Sequence, residues 1–222
     1  MKRLMMMICF GAFSLNASST IMPSSVIAQL TSCDLEKFNT KELSGSQGLD
    51  VDVYYPKCMK YEQGGFQAHT VAKASYEWND FEVLVQISVA VENCGRTKVL
   101  VLRRTIPDMN QSDIKDIATA AGGVYLGGGI VNIRDVKVLW FETQNNVTRM
   151  GESSIGITRQ YLIPANGGRL FFLRFSVSSV NGMSPINDFR ALEFMFRKCA
   201  VALTLKDYSQ FYNSGSIWSA LK

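Results

Sequence analysis

The stretch FQAHTVAKASYEWNDFEVLVQISVAV, residues 66–91, decides the fold. In its first half Phe66, Ala68, Thr70, Ala72, Ala74, Tyr76 and Trp78 alternate with Gln67, His69, Lys73, Ser75 and Glu77, the period-2 pattern of a strand with one packed and one wet face. Asn79-Asp80 is a turn signal, and Phe81, Val83, Val85, Ile87, Val89 and Val91 then resume the alternation. Two such runs joined by so short a polar break predict an antiparallel hairpin.

Working outward, Val51, Val53 and Tyr55 alternate with Asp50, Asp52 and Tyr54, and Pro56 closes that strand. Downstream of Asn93-Cys94-Gly95, the run Lys98 to Thr105 reads as a continuation of the sheet. The period then switches. Asn110 caps a predicted helix with Ile114, Ile117, Ala118 and Ala121 on one face, and Gly122-Gly123 stops it. Strands are predicted over 130–143, 154–163 and 169–180, the last two flanking the loop Pro164 to Gly168. Ser184-Pro185 opens a closing helix whose stripe is Phe189, Leu192, Phe196, Cys199, Ala200 and Leu203, with Arg190, Glu193, Arg197 and Lys198 facing away. Leu35, Phe38 and Leu43 predict a short helix in the segment before the domain.

These elements predict an α+β domain over residues 49–205, an antiparallel sheet with helices packed on it, preceded by a leader segment at 29–48 and followed by a tail at 206–222. A strand closing in Tyr54-Tyr55-Pro56, long meandering strands, a middle helix, a second meander and a closing helix make the chain resemble the PsbP-like fold superfamily, an α-β-α sandwich. The resemblance is one of architecture over about residues 48–205. It implies a non-enzymatic accessory or binding role and assigns no site residue.

The first 28 residues read as a signal peptide: Lys2 and Arg3, an apolar run from Leu4 to Leu15, and small residues toward Ala28, with cleavage between Ala28 and Gln29. A dozen apolar residues fall short of the roughly 20 that span a bilayer. Leu30-Thr31-Ser32-Cys33 also resembles a bacterial lipobox, so a lipid anchor at Cys33 stands as an alternative. Removal of residues 1–28 takes away Lys2, Arg3 and no acidic residue, lowering the formal charge from +4 to +2. So balanced a chain offers nucleic acid no electrostatic footprint.

Cleavage leaves Cys33, Cys58, Cys94 and Cys199, an even set that reads as disulfide-forming in an exported protein, with Cys33–Cys58 and Cys94–Cys199 as the preferred pairs. Signatures of chemistry are sparse. His69 is the one histidine, on the expected polar face of its strand, so every Ser-His-Asp or Cys-His arrangement must run through it. The cysteines lack Cys-x-x-Cys spacing, and no acidic cluster has calcium-loop spacing, so neither metal nor cofactor is expected. Gly122-Gly123 and Gly127 to Gly129 run from helix to strand and lack a following Lys, which reads as a helix stop and tight connection rather than a phosphate loop. Arg169 to Phe175, rich in aromatic and basic residues, reads as a strand buried on both faces, with Phe171 and Phe175 in the core.

The expected function is therefore an exported, non-catalytic binding or accessory protein of the bacterial cell envelope, periplasmic or secreted. Its expected partner is a protein or a small-molecule ligand. Alternatives are a secreted hydrolase whose carboxylates, such as Asp50, Asp52 and Glu77, converge in a cleft, and an immunity or chaperone partner of a toxin.

Overall fold

The computed structural model describes residues 19–43, 49–64, 69–133, 136–149, 151–180 and 182–205. The apolar run of the leader, residues 66–68 of the first hairpin strand and the tail at 206–222 lie outside these. Seven strands form one sheet in the order β3-β4-β5-β9-β8-β7-β6, every neighbouring pair antiparallel. They are β3 (Lys60–Gln63), β4 (Thr70–Trp78), β5 (Val83–Asn93), β6 (Val124–Ile133), β7 (Val136–Arg149), β8 (Glu152–Pro164) and β9 (Arg169–Ser179).

The hairpin of residues 70–91 forms as its alternation requires, with Trp78 opposite Val83 across a loop in which Asn79, Asp80 and Phe81 all take positive φ. Asn and Asp tolerate that left-handed region better than other residues with a side chain, which suits them to this turn. β5 and β9 then pair along eleven positions, Val83 opposite Ser179 through Asn93 opposite Arg169.

Helices cover both faces. On one, α2 (Arg96–Thr105) and α3 (Gln111–Ala120) seal Val99, Ile106, Ile114 and Ala118 against Leu139, Phe141, Leu162, Leu170 and Phe172. On the other, α1 (Ser24–Ser32), α4 (Ile186–Ala191) and α5 (Glu193–Ala202) cover Val85, Ile87, Ile157, Phe171 and Phe175. A second sheet, β1 (Leu35–Asn39), β2 (Val51–Pro56) and β10 (Thr204–Leu205), packs beside α5. The architecture is the expected α+β sandwich. Phe171 and Phe175 are fully buried on one face while Leu170 and Phe172 enter the core on the other, as a strand between two helix layers must be.

Five expectations are corrected. Lys98 to Thr105 is the body of α2, because Val99, Leu102 and Ile106 recur at helical spacing and turn one stripe to the sheet. The run 130–143 is two strands, since β6 ends at Ile133, which pairs with Val136 at the start of β7. Gly127 to Gly129 lie inside β6 rather than in a connection. Leu35 and Phe38 belong to β1, followed by a 3-10 turn at Thr40–Glu42, in place of a short helix. The strand ending at Pro56 joins the small sheet, not the main one.

Candidate functional site

The residues singled out for chemistry do not converge. His69 is exposed with φ +60° in the turn ahead of β4, rather than within the strand. Asp50 and Asp52 meet over Asn39, whose Nδ2 donates to both at 2.7 and 2.9 Å, and Lys37 Nζ adds an ion pair to Asp52 at 3.2 Å. The group ties β1 to β2. Glu77 stands on β4, exposed, in the other sheet. Among the described residues no cluster of His, Cys, Asp and Glu is placed to hold a metal ion, and no helix is long and apolar enough to cross a membrane.

The four cysteines are all unbonded. Cys94 packs with the α2–α3 core and Cys199 lies in the core on the opposite face, so the sheet lies between them, and neither expected pair is at disulfide distance. Cys33 and Cys58 are neighbours: the Cys58 amide donates to Cys33 Sγ at 2.9 Å. Burial and the adjoining Cys33 thiol push the Cys58 thiol up to about 12.

A group the sequence reading missed lies between β7, β8 and the α4–α5 corner. Glu142, 2% exposed, accepts from Arg159 Nε at 2.7 Å, from Arg159 Nη2, and from Arg190 at 2.8 and 2.5 Å. Arg159 also reaches Glu193 at 2.9 Å and lies over the Trp140 ring. Burial alone would raise the Glu142 pKa, but hydrogen bonds and charge from Arg190 and Arg159 outweigh it and hold the carboxyl below the usual range. An ionised, saturated carboxylate is a poor proton donor. This cluster therefore clamps the helical corner to the sheet. Arg190 and Glu193, expected on the outward face of one continuous helix, flank Leu192, where two helices meet; their side chains stay 41% and 39% exposed but reach across to Glu142 and Arg159.

What remains open is a backbone. β6 ends the sheet, and its outer edge meets no further strand among the described residues. Its sequence, VYLGGGIVNI, has no charge and no proline. Glycine is required here: a Cβ on Gly128 would stand 2.6 Å from Ile114 Cγ2 and 2.9 Å from the Trp140 carbonyl, so the bare backbone lets α3 approach the strand. Gly123, at φ +105°, precedes the strand against the Asn145 side chain. An irregularity between Tyr125 and Gly127 leaves Leu126 unpaired, after which Gly127 to Ile133 run in unbroken register with β7. Val124, 65% exposed, and Leu126, 38% exposed, present apolar side chains at its start. Beside them lies an open depression of about 410 Å³ lined by Ala121 to Val124 and Gln144 to Asn146. Within it the Asn145 Oδ1 is buried without a hydrogen-bond partner among the described residues.

The class defined by fold and edge is a three-layered helix–sheet–helix domain with one long, uncharged edge strand. No protein-family model and no curated protein sequence matches the chain. Solved structures similar to it include the cyanobacterial PsbP protein of Synechocystis sp. PCC 6803, at 12% identity and TM-score 0.45, covering 78% of this chain and 93% of that one. Another is LpqN of Mycobacterium tuberculosis, described as involved in cell envelope biogenesis, at 10% identity and TM-score 0.39, covering 84% of this chain and 96% of that one. These are likenesses of fold.

Proposed function

We propose that the chain is an exported, non-catalytic binding protein of the bacterial cell envelope, and that it binds an extended segment of a partner protein along the outer edge of β6. The observation that carries this is the length of uncharged, proline-free strand edge from Gly127 to Ile133. Backbone N–H and C=O groups at a sheet edge are a template for another strand, and main-chain hydrogen bonds supply affinity while alternate side chains supply selectivity. The Gln111 side chain of α3 donates to the Gly128 carbonyl at 3.2 Å, a bond that a docking strand would have to accommodate. Val124, Leu126 and the amides of Gln144 to Asn146 extend the surface at one end, suiting a segment that carries apolar or amide side chains at that end. Export is supported by the order of charged, apolar and small residues at the N-terminus.

The test is selection of linear peptides from a displayed random library on the purified protein, followed by amide hydrogen exchange of the complex. Added protection confined to β6, and a loss of binding of at least tenfold in the Val124→Lys/Leu126→Lys variant, is the expected result. Peptides that protect another surface, or a library that yields no binder, would overturn the reading.

A further inference from the structure

The segment ahead of β1 is built into the domain. Met22 and Leu30 are 1% and 0% exposed and belong to the same core as Phe189 and Phe196. Asp188, in α4 and fully buried, accepts the Ile21 amide on one carboxylate oxygen at 2.9 Å and the Met22 amide on the other at 2.7 Å. At the far end of the segment Cys33 Sγ receives the Cys58 amide. A buried carboxylate depends on such donors, since nothing replaces the water it gave up. Cleavage between Ala28 and Gln29 would strip both amides from Asp188 and Met22 from the core. Cleavage at Cys33 would remove Leu30 and α1 as well.

We propose that the leader is instead cut between Ser19 and Thr20, and that residues 20–33 remain in the mature protein as a docked structural arm. The inference rests on the export reading above and relocates its processing site. Ala17 and Ser19 supply small residues three and one positions before the cut, and the apolar run ends close by, at Leu15. The spacing removes the long polar approach that separates Leu15 from either downstream site. Thr20, the new terminus, is already folded back, its hydroxyl donating to the Met22 carbonyl at 2.8 Å. Cys33 then stays an internal residue facing Cys58, unavailable as a lipidated N-terminus.

The experiment is expression of the full chain in a bacterial host, with N-terminal sequencing and intact mass of the product, and amide hydrogen exchange on the same material. A chain beginning at Thr20, with Ile21 and Met22 amides as protected as those of β5 and β9, is the expected result. In the Asp188→Asn variant those two amides should exchange at least tenfold faster. A terminus at Gln29, or a diacylglyceryl mass on Cys33, overturns the proposed cut while leaving export intact. Retention of Met1 sinks export and the cut together. Rapid exchange at Ile21 and Met22 overturns the docked arm whichever terminus is found.

Discussion

At one end of the seven-stranded sheet β3 offers four residues, Lys60-Tyr61-Glu62-Gln63; at the other β6 offers ten, none charged and none proline. β3 carries its charges on the surface: Glu62 pairs with Lys60 at 2.9 Å and with Lys73 of β4 at 3.1 Å. Behind β6 the charge is inside instead, where Glu142, opposite Gly127 in the register, is clamped by Arg159 and Arg190. A short, charged edge repels another strand, whereas a long neutral one invites it. The fold therefore places surface charge at one end of its sheet and leaves the other edge uncharged, with its buried ion cluster on the two strands next to that edge.

The largest effect should come from breaking that internal clamp. Arg159→Ala leaves Glu142 buried with reduced compensation and should cost about 3–5 kcal/mol in urea unfolding, while Lys73→Ala at the charged end should cost less than about 1 kcal/mol. A similar cost for the two would erase the distinction. Acid sharpens it further: because the folded Glu142 pKa is depressed, its contribution is complete above the unfolded value near pH 4 and is lost as pH falls through the folded value. Melting temperature measured from pH 6 to pH 2 should show this acid limb, flattened in Glu142→Gln.

Next in size is Gly128→Val, which pushes side chain into Ile114 and the Trp140 carbonyl and should destabilise by about 1–3 kcal/mol. Its neighbour Gly127 faces open space, and Gly127→Val should stay within about 0.5 kcal/mol of the parent. Smallest in stability are Val124→Lys and Leu126→Lys, exposed positions where thermal unfolding should move by less than about 0.5 kcal/mol although peptide binding falls. Should the paired lysines unfold the protein instead, β6 would be a structural edge and not a binding one.

Much of the fold was legible because long periodic segments report their own period. The hairpin over residues 70–91, the capped helix α3 with its Asn110–Asp113 capping box, and the β8–β9 pair all follow from patterns of eight or more residues. Failures came where the period is ambiguous. Val99 to Leu102 is a short continuous apolar run that fits a buried strand and a helical turn alike, and only the sheet face awaiting Val99 and Ile106 decides. β6 was hidden by its glycines, which look like a break in isolation and make sense once α3 lies across Gly128. The ion cluster was less accessible still: Glu142, Arg159, Arg190 and Glu193 come from two strands and two helices, and the junction at Leu192 between the helices that carry the last two leaves no local mark. Neither expected disulfide is formed: Cys33 and Cys58 meet through an amide-to-sulfur hydrogen bond between segments close in sequence, while the separation of Cys94 from Cys199 depends on which face each covers.

The pairing of β5 with β9 sets an order of events for the chain. Val83 waits for Ser179, so the middle of the sheet cannot close until nearly all of the domain has been delivered. Loops of that span make for slow folding. The arm waits longer still, since Ile21 and Met22 find their acceptor only on Asp188, 167 and 166 residues further along. In a polypeptide threaded through a membrane from its N-terminus, the first residues across would be among the last to settle. Under the export proposed above, that delay would leave the arm loose for a peptidase until Asp188 arrives to hold it.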